Sequence, residues 1–319
     1  MLLNSVTNVA IHYMTKKNLI VIVGPTAVGK TSLSIAFAKA YQTEIISCDS
    51  RQFFKEMTVG TAVPSKEELT EAPHHFIQNL SIHDSYSVGD FERDAVSLIE
   101  KLFLSHDTII MVGGSALYEK AVTHGLDPLP EVPEDINNAI EALYKKNGIE
   151  VLQMELKEKD PDYYNQVDLQ NPRRLMRALG ICRATGNTFT QYRSGDKQQR
   201  DFNIIKVGLE APREELYDRI NKRVDVMLEQ GLLNEAKALL PYQHLTSLKT
   251  VGYQELMGVF ENNYDLNEGI RLVKRNSRRF AKRQMTWYRK DTSVNWFHYK
   301  TRHTDIVQRV SEKLMESNL

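Results

Sequence analysis

Cysteine is nearly absent from this sequence: its 319 residues include 2, Cys48 and Cys182. Two thiols cannot build a disulfide framework or, by themselves, a zinc site. Both lie in apolar runs, where a small buried hydrophobe is the expected role. Net charge is missing as well. Lys plus Arg and Asp plus Glu number 41 each. A nucleic-acid partner would therefore have to be held by a local patch, since each phosphate contact is made by an individual Lys or Arg. No apolar run approaches the roughly 20 residues that cross a bilayer. The stretch up to Lys17 has no continuous apolar segment before its lysines, so it does not read as a signal peptide. No membrane partner and a cytoplasmic location are expected. What remains, 41 % hydrophobic and 26 % charged residues, is the composition of a globular chain long enough for roughly two domains.

Three short, β-branched apolar runs occupy the first third: Asn18–Val23, 44–47 and Thr108–Val112. They do not alternate, as expected for strands of a parallel sheet covered on both faces. Helical stretches at 32–41 and about 88–104 separate them. This order predicts an α/β fold, a parallel sheet with helices on both faces and right-handed crossovers. Beyond Tyr118, Pro128, Pro130 and Pro133 punctuate a loop, and charged helical sequence follows up to about Arg193. A polar segment, 194–201, leads to a further strand at 203–209. The expected organisation is a first part of the core at 1–122, a helical insertion at 123–202 and a return to the core at 203–319. The last part reads as helical from Arg213 to Leu314, apart from a late strand at 296–299.

Gly24-Pro25-Thr26-Ala27-Val28-Gly29-Lys30-Thr31 matches G-x-x-x-x-G-K-[ST] between an expected strand and an expected helix, the setting this motif requires. Glycines let the backbone turn its N–H groups onto phosphate oxygens, and the following helix adds its partial positive charge. Lys30 supplies a mobile point charge, and the Thr31 hydroxyl can ligate Mg²⁺. The loop grips a di- or triphosphate and is blind to what the phosphates carry. A GTPase would need a guanine-reading motif, and the nearest approach, Asn221-Lys222-Arg223-Val224, lacks its acid.

The second strand ends in Cys48-Asp49-Ser50-Arg51-Gln52. Ligands of open parallel sheets bind outside the carboxyl ends of the strands, so Asp49 is expected beside the phosphates, as a metal-water ligand, a general base or a turn-capping residue. The third strand ends in Gly113-Gly114-Ser115, which suits either close approach to a ligand or a tight turn.

Taken together, these residues resemble the bacterial tRNA dimethylallyltransferases, from about Leu19 to Trp287 in consistent order. The shared stretches are the phosphate loop, Asp49-Ser50-x-Gln52, Gly60-Thr61-Ala62, Pro73-His74-His75, and Ser85-Tyr86-Ser87 with Phe91. They continue with Gly113-Gly114-x-x-Leu117-Tyr118, Asn171-Pro172-Arg173-Arg174, and Arg213 to Leu228 with Arg219, Arg223 and Asp225. The last are Val251-Gly252-Tyr253-Gln254-Glu255 and Ala281-Lys282-Arg283-Gln284-x-Thr286-Trp287. Departures are Arg51 where the family commonly has Met, Phe53-Phe54 for Val-Tyr, and Ser115 for Thr. No cysteine–histidine array follows the C-terminal helices in these 319 residues, so the zinc finger of eukaryotic relatives is not expected.

The resemblance implies a P-loop NTPase-like core and transfer of a dimethylallyl group from dimethylallyl diphosphate to N6 of the adenosine just 3′ of the anticodon, position 37, in tRNA. Asp49 would accept the N6 proton, Lys30, Arg223 and Arg174 would stabilise the departing charge, and Thr26 would lie close to the diphosphate and the reacting carbon. Mg²⁺, near Thr31, is the implied cofactor. The base must leave the anticodon stack to reach a pocket. Asp49, Ser50, Arg51, Gln52, Ser115, Arg173, Arg174, Arg177, Gly252 and Tyr253 are then the expected tRNA-binding residues, with the insertion gripping the anticodon stem-loop. Independently of the resemblance, the run from Arg271 to Arg283 holds no acidic residue and is followed by Trp287 and Tyr288. Arg279, Lys282 and Arg283 are therefore candidates to track an RNA backbone, unless the helix is merely solvated or pairs with a partner. His74-His75 lacks companion metal ligands and reads as a packed loop. A monomer is expected.

Three other readings compete: a small-molecule kinase using ATP, a prenyltransferase acting on free AMP or ADP, and a non-catalytic RNA-binding protein with a degenerate phosphate loop. The intact Lys30, Thr31 and Asp49 speak against the last.

Overall fold

The computed structural model describes residues 17–193 and 199–316. The polar connection expected at 194–201 lies mostly outside them, as does the stretch before Lys17. The chain forms two compact units. Of the described residues, one comprises those up to Thr123 and from Arg200 on, the other those between His124 and Gln199.

The larger unit is built on six parallel strands: β1 (Asn18–Val23), β2 (Ile45–Ser47), β3 (His74–His75), β4 (Thr108–Val112), β5 (Asn203–Glu210) and β6 (Val294–His298). Their order is β3-β2-β4-β1-β5-β6. All six residues of β1 are buried, and they divide between the faces by simple alternation. Ile20 and Ile22 join one core cluster with Leu33, Phe37 and Val207, while Leu19, Val21 and Val23 join the other with Phe91 and Met111. Burial on both sides explains why the strand sequence shows no polar alternation. Because β1 is flanked by β4 and β5, with the chain leaving in opposite directions to either side, its carboxyl end opens into the crevice where such sheets bind ligands.

The late strand is real but begins earlier than the sequence suggests, at Val294, and pairs with Lys206 to Glu210. One expectation fails. His74 and His75 form a short edge strand, not a loop, registered against Ile45 and Ile46. Two residues carry too little periodicity for a strand to be read from them, and the backbone pairing with β2 decides the matter.

Helices α1 (Lys30–Tyr41), α2 (Lys66–Glu71), α3 (Val88–Leu102) and α4 (Ala116–His124) follow the early strands. The smaller unit holds α5 (Glu134–Asn147), α6 (Glu150–Lys159), α7 (Pro161–Tyr164) and α8 (Pro172–Thr185). Its own core packs Ile140, Leu152, Leu156, Leu175 and Leu179. Asp160 is buried there, and its carboxylate accepts bonds from the Tyr163 N–H, the Thr190 N–H and the Thr190 hydroxyl at 2.8 to 3.0 Å. In the larger unit the chain continues through α9 (Arg213–Glu229), α10 (Leu232–Ala238), α11 (Tyr253–Phe260), α12 (Leu266–Tyr288) and α13 (His303–Glu316). Val224, Leu232, Tyr253, Leu256 and Val273 bind α9 to α12 in a third cluster. Cys48 and Cys182 are both buried and unpaired.

Candidate active site

The phosphate loop leaves β1 through Gly24, at φ 142°, and a Cβ there would meet the Leu209 carbonyl of β5 at 2.6 Å. Only glycine fits that approach. Gly29, at φ 111°, starts α1, whose first residues are Lys30 and Thr31. Val28 is not a ligand residue by side chain, for it is buried in the core. Lys30 Nζ donates to the Pro25 carbonyl at 2.8 Å. Desolvation in the cleft holds its pKa down to about 8, with Asp49 opposing and Arg223 adding to the effect.

Helix α9 brings two arginines over the loop. Arg219 donates to the Ala27 carbonyl at 2.8 Å and Arg223 to the Thr26 hydroxyl at 3.3 Å. Burial and the neighbouring Arg219 push the Arg223 pKa down. A guanidinium in that condition gains most from an arriving anion. The Thr31 hydroxyl has no protein partner among the described residues.

Asp49 stands at the carboxyl end of β2. Its Oδ1 accepts the Arg51 N–H at 3.3 Å. The Ser50 hydroxyl meets the Ser115 hydroxyl at 3.0 Å, and Ser115 also accepts the Ser50 N–H. Two cavities adjoin here. One, of about 540 Å³, is lined by Asp49, Ser50, Ser115, Gly252, Arg283 and Trp287. The other, of about 580 Å³, runs along Ala27 to Ser32 with Ser47, Gln52 and Arg219. Thr26, Asp49, Thr61, Arg223, Met227, Phe280 and Gln284 border both. A phosphate cradle and an aromatic-rimmed hollow thus share one wall, and Asp49 and Arg223 stand in it.

Several expected RNA contacts have other duties. Gln52 donates to the Ala62 and Thr61 carbonyls and accepts from Ser47, which fixes the loop at 58–62. The Arg51 side chain donates to the Ser247 carbonyl at 2.9 Å. Tyr253 has no exposed surface, so the expectation that it faces RNA is not met. Its ring packs on Gly60, and its hydroxyl donates to Glu235 at 2.6 Å. Burial and that carboxylate raise the phenol's pKa. Glu235 also takes the N–H groups of Thr58, Val59 and Gly60 at 2.8 to 3.0 Å. One carboxylate thereby holds a loop that borders both cavities. Gly252 starts α11 with φ 98° and gives its N–H to Glu255.

The basic run on α12 divides in two. Arg271 pairs with Glu268, Lys274 with Asp225, and Arg278 with Asn221. Arg279, Lys282 and Arg283 are exposed, form no ion pair among the described residues, and line a shallow hollow with Trp287 and Lys290. In the smaller unit Arg173, Arg174 and Arg177 are exposed on the first turns of α8. Among the described residues no cluster of three or more His, Cys, Asp or Glu suits a metal ion.

The sequence reading passed over Glu235, Arg219 and Gln284 as site residues. Gln284 carried a usable signal. It repeats with Val273, Ala281 and Tyr288 on the buried face of an otherwise charged helix, and a polar residue on such a face needs a partner.

The family model for IPP transferase matches residues 52–291. A tRNA dimethylallyltransferase of Christiangramia forsetii is 51% identical over 296 residues, covering 93% of this chain and 98% of the relative. Another, from Flavobacterium psychrophilum, is 49% identical over 302 residues, with 93% and 98% covered. Among solved structures, a tRNA isopentenylpyrophosphate transferase from Bacillus halodurans is 37% identical with a TM-score of 0.71, covering 94% of this chain and 98% of that one. A eukaryotic dimethylallyltransferase acting on tRNA has a TM-score of 0.81 at 24% identity, covering 94% and 80%, which bears on the fold alone.

Proposed function

The chain belongs to the IPP transferase family, the tRNA dimethylallyltransferases, and we propose that it joins the dimethylallyl group of dimethylallyl diphosphate to N6 of the adenosine 3′-adjacent to the anticodon, position 37. The observation that carries this reading is the shared wall of the two cavities, where Thr26, Asp49 and Arg223 stand between a phosphate cradle and a hollow rimmed by Trp287 and Phe280. A diphosphate on the cradle and a base in the hollow would bring their reacting atoms to that wall.

An aromatic amine is a poor nucleophile because its lone pair is delocalised into the ring. In the proposed step the N6–carbon bond forms as the carbon–oxygen bond to diphosphate breaks. The N6 proton passes to the Asp49 carboxylate, and the electron pair leaves with pyrophosphate. Lys30, Arg223 and the loop N–H groups oppose the charge that grows on the leaving oxygens. Thr26, bonded to Arg223, would lie beside that oxygen. The Thr31 hydroxyl, which has no protein partner among the described residues, is the side chain that would hold Mg²⁺, an ion that rarely takes an all-protein cage; there it would neutralise part of the diphosphate charge.

Exposed Arg279, Lys282 and Arg283 support an RNA backbone tracking along α12, and Arg173, Arg174 and Arg177 support a second grip on the smaller unit. We take a monomer as the working form. Among the described residues no helix is long and apolar enough to cross a membrane, and we place the enzyme in the cytoplasm with its tRNA.

The test incubates the protein with Mg²⁺, radiolabelled dimethylallyl diphosphate and unmodified tRNA. Label in the tRNA is expected, and label in free AMP instead would move the assignment to the free nucleotide. No transfer together with ATP-dependent phosphorylation of a small acceptor would replace the reading with a kinase.

A further inference from the structure

A carboxamide carries an acceptor and a donor on one carbon, so it can bridge an N–H and a C=O that face each other. Gln284 does this inside the protein. It is 5 % exposed. Its Oε1 accepts the Thr26 N–H at 2.9 Å, and its Nε2 donates to the Gly114 carbonyl at 2.9 Å. These partners belong to the phosphate loop after β1 and the turn after β4, the two loops whose separation sets where a diphosphate stands relative to a base. A Cβ on Gly114 would lie 2.4 Å from Gln284 Nε2 and 3.5 Å from Asp49 Oδ2, so Gly114 is flanked by the bridge and the carboxylate.

The helix bearing Gln284 is held rigidly. Tyr288, one turn on, is buried. Just past the helix, Asp291 joins a buried network in which Lys206 of β5 bonds both Asp291 at 2.7 Å and Glu119 of α4 at 2.8 Å. Glu119 follows Ser115 by one turn, so the same network fixes the second loop. Ala27, next to Thr26, has φ 63°, a conformation that a non-glycine residue keeps only when neighbours impose it.

We propose, resting on the transferase reading, that Gln284 is a positioning residue: it locks the Thr26 peptide to Gly114 and thereby sets the reach from the diphosphate carbon to the amine facing Asp49. It touches neither RNA nor phosphate in this role. No other side chain substitutes. An ionised Glu lacks the donor, Leu lacks both groups, and Asn is one methylene short.

The test compares the full-length protein with Gln284→Leu and Gln284→Glu, measuring kcat, both KM values and hydrogen exchange at the Thr26 amide. For Gln284→Leu, kcat falls about 100-fold, the scale of a 1 Å misplacement, while the KM for tRNA stays within about threefold and Thr26 exchange speeds at least about tenfold. Gln284→Glu keeps the shape and the Thr26 bond but sets an oxygen against the Gly114 carbonyl. Its kcat falls with Thr26 still protected, and it carries the test alone if the Leu variant does not fold. An unchanged kcat overturns the proposal, and so does a loss confined to the tRNA KM, which would make Gln284 an RNA contact. Wild-type protein without transfer would instead sink the transferase reading. Unchanged Thr26 exchange in Gln284→Leu would still overturn the bridge.

Discussion

The two ends of the β-sheet are both rich in charge, and they treat it differently. At the amino ends of the strands each charged group has a side-chain partner. Lys17 pairs with Asp107 at 2.7 Å, and Glu44 receives His75 at 2.5 Å and His106 at 3.7 Å. At the carboxyl ends Lys30, Arg219 and Arg223 bond to backbone carbonyls and a hydroxyl, and none forms an ion pair among the described residues. Asp49 is the carboxylate in their midst. Charge cancelled in place contributes to the fold, whereas charge left uncancelled and partly desolvated stores attraction for an ion that has yet to arrive.

The sharpest way to break this comparison is to remove the Asp49 carboxylate. Asp49→Ala should lower kcat by about 10²- to 10⁴-fold, the usual worth of a positioned general base, with pyrophosphate and tRNA binding retained. Calorimetry and filter binding would check the second half. Transfer at the wild-type rate would leave the cationic end without its base and remove the mechanism.

Arg223→Met comes next, at about 10²- to 10³-fold in kcat. Its neighbour Arg219 should matter less, because its guanidinium is already committed to the Ala27 carbonyl and stacks over Tyr299 at 4.9 Å. Equal losses from Arg219→Met and Arg223→Met would show that total charge, not placement, does the work.

How much of this could be read beforehand follows the range of the interactions involved. The phosphate loop and Asp49 depend on local sequence, a strand followed by a turn, and they sit where the spacing places them. The strands β1, β4 and β5 were readable for the same reason. Tyr253 went astray because its partners are remote, and the backbone bond made by Arg51 was hidden for the same reason. Arg51 reaches Ser247, and Tyr253 reaches Glu235 and the loop at Gly60. The departure at Phe53 also makes sense only in three dimensions. Its ring sits within 5.3 to 6.3 Å of Phe91, Tyr118, Tyr86 and Phe76, an aromatic base beneath the site loops. A single sequence does not show which distant residues converge.

A smaller effect comes from pH. Lys30 loses its proton through about pH 8 in the ligand-free site, and a bound diphosphate favours the charged form. Pyrophosphate affinity should therefore fall as pH rises from 8 to 9.5, by up to about tenfold per unit, beyond any change seen in Lys30→Met. Calorimetry in two buffers would detect the accompanying proton uptake. The sign for stability is opposite. The unfolded lysine titrates near 10.5, so between 8 and 10.5 the unfolded state binds more protons, and the empty fold gains stability as pH rises through that window. A pyrophosphate affinity with the same pH slope in wild type and Lys30→Met would mean that Lys30 is not part of the cradle.

The smallest effect should come from the other end of the sheet. Glu44→Gln removes the carboxylate shared by His75 and His106, whose side chains are 32 % and 21 % exposed. Ion pairs with that much solvent contact contribute about 0 to 1 kcal/mol, so the melting temperature should drop by a few degrees at most. Transfer rate should stay within about twofold, because the substitution acts at the amino ends of the strands and the proposed chemistry at the carboxyl ends. The backbone pairing of β3 with β2 does not depend on the Glu44 carboxylate, so the edge strand should persist. A tenfold loss of kcat without loss of stability would connect the two ends of the sheet, and cancelled charge could then no longer be taken as structural.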